Sequence, residues 1–67
     1  MLHPGQLRAL VAAAEELGRE GRLYDPSDDD VLIYAAELDN AVDVDLAKLT
    51  PLERRTIVDA YDRGTGL

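Results

Sequence analysis

Sixty-seven residues with no cysteine and a formal net charge of −7 describe one small domain without disulfides or thiolate metal sites. A chain this short buries only about 60% of its unfolded surface, so its core is small and its stability marginal. Eight acids (Asp25, Asp28, Asp29, Asp30, Glu37, Asp39, Asp43, Asp45) and one base, Lys48, stand in residues 25–50, which carry all of the −7, while both flanks are neutral. Such a field repels nucleic acid and attracts basic partners.

The first helix is expected over about residues 4–20. Pro4 suits a first helical position, because its missing N–H has no partner there. Leu7, Leu10, Val11, Ala14 and Leu17 fall on one helical stripe. Gly18 and Gly21 read as terminators, with Arg19 and Arg22 complementing the negative end of the helix dipole. In the link Leu23-Tyr24-Asp25-Pro26, the proline disfavours helix at Asp25.

Ser27 reads as the N-cap of a second helix over about 28–42, whose first turn is Asp28-Asp29-Asp30. Val31, Ala35, Leu38 and Val42 form its expected buried stripe. Residues 31–36 are hydrophobic all round except for the phenol of Tyr34, so this helix is central or has two buried faces. A short helical turn is expected over 45–49, capped by Asp43 or Asp45. The clearest local signal follows: Thr50-Pro51-Leu52-Glu53 spells a capping box with proline at the first helical position. The last helix is expected over 51–63, with Leu52, Ile57, Val58, Ala60 and Tyr61 on its apolar side. Gly64 ends it and 64–67 fray. With no period-two pattern, the fold class is all-α: a single domain over 1–67, a small bundle of three main helices plus one short helical turn.

Constellations with chemistry are scarce. Counted as a calcium loop from Asp25, the acid cluster places Asp30 where glycine is needed and Ala36 where glutamate is needed. No metal is expected. A paired-carboxylate enzyme needs a cleft that separates the two pKa values, which this chain is too small to build. His3 is the sole histidine and there is no phosphate-binding glycine loop, so the chain reads as non-enzymatic and without cofactor. Ser27 stands where acyl carriers hold their modified serine, but Pro26-Ser27-Asp28 lacks the carrier Asp-Ser-Leu pattern, and the serine reads as a cap. No apolar run approaches the ~20 residues that span a bilayer, and Met1–Gly5 has no basic region leading into an apolar segment. The chain is therefore expected to be cytoplasmic, with no membrane contact.

Leu49-Thr50-Pro51-Leu52-Glu53-Arg54-Arg55, followed by Ile57, Tyr61 and Gly64, resembles the opening of helix-turn-helix domains in sigma-factor region 4 and LuxR-type regulators. The resemblance covers about 16 residues and implies a capped helix. It carries over no DNA-reading residue, because the family's recognition helix would begin where this sequence stops. The acidic charge also opposes direct nucleic-acid contact.

These features point to a protein-interaction module or small inhibitor that binds a basic partner through an acidic, partly apolar helical face. Asp28, Asp29, Asp30, Leu32, Tyr34, Glu37 and Asp39 are the expected contact residues. The acids would supply on-rate and orientation, and the apolar neighbours the desolvated anchor. A sharper form has the acids imitate a nucleic-acid backbone for a nucleic-acid-handling protein, as phage or plasmid inhibitors do. The alternative is an assembly subunit that uses the apolar surface of the second helix for homodimers or hetero-oligomers.

Overall fold

Each helix is set by a cap that satisfies its first backbone N–H groups. In the computed structural model, which describes residues 2–41 and 44–66, α1 spans Pro4–Glu20, α2 Asp28–Leu38 and α3 Pro51–Thr65, with a 3-10 turn at Leu46–Lys48. The result is all-α, and there is no strand among the described residues. Ser27 and Asp30 cap α2 reciprocally, each backbone N–H donating to the other's side chain at 3.2 Å. Thr50 and Glu53 do the same for α3 at 2.9 and 3.1 Å, the box expected from the sequence. Asp45 caps the 3-10 turn, accepting from the Ala47 N–H at 3.1 Å; Asp43 and Val42 lie outside the described residues. The cap of α1 is His3, whose Nδ1 accepts from the Gly5 N–H at 3.1 Å while its own N–H donates to Gln6 at 3.0 Å. Pro4 marks the start of this helix in the sequence, but a histidine is not among the usual capping residues.

α1 ends at Glu20 as expected, whereas the ends of α2 and α3 differ from expectation, and backbone conformation explains all three. Gly21 terminates α1 at φ 67°, so Gly18 stays inside the helix. Asn40 adopts φ 55°, and the N–H groups of Asn40 and Ala41 donate back to Glu37 and Ala36 at 3.1 and 2.9 Å. This pair of bonds is a Schellman closure, and it ends α2 at Leu38 rather than near 42. Gly66, at φ 84°, closes α3, so Gly64 is helical rather than terminal.

The two interior glycines face each other. A Cβ on Gly18 would overlap the Tyr61 carbonyl oxygen, and one on Gly64 would overlap the Glu15 carbonyl oxygen. Glycine is required at both because the α1 and α3 backbones touch there. At the other end of this pair, the Leu2 N–H donates to Glu53 Oε2 at 2.7 Å. The α1 and α3 starts are therefore neighbours, as are their ends, and the two helices run parallel. They form the most extensive packing in the molecule. Asp29 of α2 pairs with Arg54 near the start of α3, while Tyr34 and Leu38 lie around Leu17 near the end of α1. So α2 leads from the start of α3 to the end of α1, and the two links carry the chain back.

The core takes Leu10, Ala13, Ala14 and Leu17 from α1, Val31, Leu32 and Ala35 from α2, and Ile57, Ala60 and Tyr61 from α3, with Leu49 from the link before α3. The largest fully buried side chains are Leu10, Leu32 and Ile57, one from each helix. Each contributes about 1.5–3 kcal/mol by leaving water. The buried stripe of α3 is Glu53, Ile57, Ala60 and Tyr61. Leu52 shares its side of the helix with Arg55 and Asp59 and is 75% exposed, contrary to its expected place on the apolar face.

Candidate functional site

The acid cluster at the start of α2 is largely absorbed by the fold. Asp30 spends a carboxylate oxygen on the Ser27 N–H at 3.2 Å. Asp29 is paired with the Arg54 guanidinium. Asp28 edges a shallow cleft with Leu52, Arg54 and Arg55. All three sit in the first turn of α2, where the positive end of the helix dipole favours carboxylates. Consecutive helical residues point about 100° apart, so the three do not form one face: Asp28 and Asp29 turn toward α3, and Asp30 turns outward. Among the described residues, no group of three or more His, Cys, Asp or Glu is placed to hold a metal ion.

Leu32 requires a correction. It is only 2% exposed and sits among the fully buried core residues, because α1 and α3 close over that side of α2. It is unavailable as an anchor. The sequence could not decide this, since an all-apolar run from 31 to 36 permits more than one inward register. The exposed apolar side chains are instead Ile33 at 45%, Tyr34 at 43% and Leu38 at 40%. Leu38, expected inside, is left half-covered because α2 closes at that point and α1 ends at Gly21 nearby. Tyr24, in the link before α2, is also exposed.

Asp30, Ile33, Tyr34 and Glu37 fall at i, i+3, i+4 and i+7, one outward stripe of α2. Leu38 continues it at the C-terminal end, while the C-cap residue Asp39 stands about 180° around the axis from Asp30. Glu37 and Asp39 have no capping explanation. They stand at the negative end of the helix dipole, whose last turn holds no basic residue. A carboxylate there costs stability where a cation would add it. No Lys or Arg comes within ion-pair distance of either acid among the described residues. Two acids without an ion pair among the described residues therefore stand at the negative end of the dipole, Glu37 beside the half-exposed Tyr34 and Leu38.

Beside them is a cleft of about 440 Å³ between the ends of α1 and α2, lined by Leu17, Leu23, Tyr34 and Leu38, with Glu37 and Arg22 at its rim. Arg22 is matched by Glu20 at 2.6 Å, so the rim retains the charge of Glu37. One titration is displaced elsewhere. Glu53 is held below the usual carboxylate range by the Thr50 and Leu2 backbone N–H groups, and its burial works against them.

Comparison with family models, with curated proteins and with solved structures gives no match. No helix among the described residues is long and apolar enough to cross a membrane.

Proposed function

We propose that this chain is a non-enzymatic docking module that binds a basic protein partner through the outer face of α2 (Ile33, Tyr34, Glu37 and Leu38) together with Asp39 at its C-terminal end. The observation that carries it is the placement of Glu37 and Asp39. They oppose the helix dipole, have no Lys or Arg within ion-pair distance among the described residues and stand next to exposed apolar side chains. Residues that cost fold stability without a structural return mark function. An acidic rim around an apolar centre gives rapid, oriented capture of a cationic surface and a desolvated anchor once docked.

Asp28, Asp29 and Asp30 carry less of this contact than the C-terminal end of the helix. Engagement of Asp29 by Arg54 and of Asp30 by the Ser27 N–H favours a discrete docking contact over a phosphate-like row that imitates nucleic acid. The test is affinity capture from the native host at low salt, with salt elution, using wild type and the Glu37→Gln/Asp39→Asn double variant. A partner retained by wild type and lost by the variant supports the reading. Equal retention by both rejects it.

A second reading, an assembly subunit joined through α2, is favoured by the exposure of Ile33, Tyr34 and Leu38 along one side. Light scattering separates the two: assembly gives an oligomer insensitive to salt, docking a monomer with salt-sensitive capture.

A further inference from the structure

Building on that docking role for α2, we infer that the cleft between the ends of α1 and α2 receives one apolar side chain of a basic amphipathic helix, while Glu37 pairs with a cation one turn away on it. Leu17, Leu23, Tyr34 and Leu38 form the apolar part of this open cleft, and its volume of about 440 Å³ leaves room for a large side chain. A flexible polycation would leave that lining wet. An apolar helix without cations would leave the Glu37 carboxylate facing hydrocarbon, which is costly. A helix that carries an apolar residue at i and Lys or Arg at i+3 or i+4 presents both groups on one face. Its cation also meets the negative end of the α2 dipole.

A second copy of this chain is the competing occupant. Exposed Leu52 and Arg55 on α3 repeat the apolar-cation spacing. Each copy brings a net charge of −7, however, and two such bodies repel. Charge therefore favours a cationic partner.

The test is an NMR titration of the isotope-labelled chain at low salt with an amphipathic Leu/Lys peptide of about 18 residues, long enough to be helical when bound. An Ala/Lys peptide of equal charge runs in parallel. The Leu/Lys peptide is expected to bind about tenfold more tightly and to perturb Leu17, Leu23, Tyr34 and Leu38. Leu38→Ser should erase that preference, with unchanged circular dichroism showing that the fold persists. Equal binding of the two peptides, or an unaltered preference in Leu38→Ser, overturns the cleft while leaving acidic docking intact. Failure of both peptides to bind overturns the cleft and the docking role together. Concentration-dependent shifts at the cleft without peptide, removed by Leu52→Ser, would assign it to a second copy and also overturn the inference.

Discussion

A single methyl group at Gly64 has nowhere to go. In an ordinary exposed helix, Gly→Ala adds about 1 kcal/mol of stability. Here the new Cβ would enter the Glu15 carbonyl oxygen, a backbone atom that cannot move without separating α1 from α3. Steric cost outweighs propensity, and Gly64→Ala is expected to destabilise by about 1–3 kcal/mol or more. A domain of this size holds only about 3–10 kcal/mol in total, so chemical denaturation should show a clear loss. The control, Thr65→Ala, keeps the helix and loses only an exposed hydroxyl bond to the Asp62 carbonyl. Glu53 makes a second residue-scale prediction. Its folded pKa is depressed, so its contribution is complete above the unfolded value near 4.5 and is lost as pH falls through the folded one. Thermal unfolding of Glu53→Gln should therefore lie below wild type at pH 7, with the gap closing at lower pH. A gap that does not depend on pH would refute this. In the sequence, Gly18, Gly21, Gly64 and Gly66 look alike, and only the backbone separates the two at positive φ from the two at a helix crossing. Glu53 was legible as a capping residue, but its bond to Leu2, 51 positions away, has no local signature.

At the scale of the element, α2 carries acids at both ends with opposite consequences. Asp28, Asp29 and Asp30 stand where the dipole welcomes them, and Glu37 and Asp39 where it does not. Replacing the first three with Asn is expected to lower the melting temperature, while Glu37→Gln with Asp39→Asn should raise it slightly, through a gain in stability of about 0.5 kcal/mol for the pair. Parallel thermal scans check the signs, and a destabilised double variant would mean these acids have structural partners after all. Buried and exposed apolar residues should separate as sharply. Leu32→Ala is expected to cost about 2–5 kcal/mol as a core truncation, and Ile33→Ala little. The N-terminal boundary of α2 was readable because Ser27 and three aspartates state the cap in sequence. Its C-terminal boundary was not, because Asn40 closes the helix through a left-handed conformation that the residue permits but does not dictate. Register also escaped sequence reading. In a run as apolar as Val31 to Ala36, only contact with α1 and α3 selects Leu32 for the interior and leaves Ile33 and Leu38 outside.

For the whole molecule, two parallel helices locked at a glycine crossing form the frame, and α2 is laid over them with one long side free. The Cα radius of gyration of 10.5 Å matches the ~11 Å expected for a folded domain of this length, although few large side chains fill the core. The three-helix plan followed from caps and periodicity, but the parallel pairing of α1 with α3 depends on contacts between distant residues and could not. The candidate face was partly legible: its charge and Tyr34 stood out, while Leu38 and the cleft beside it arise only when the ends of α1 and α2 meet. The most direct test is the affinity of the Glu37→Gln/Asp39→Asn variant for the captured partner across a salt series. Binding about tenfold weaker at low salt, with a shallower salt dependence and an intact fold, is the predicted result. Affinity and salt slope equal to those of wild type would contradict docking through this end of α2.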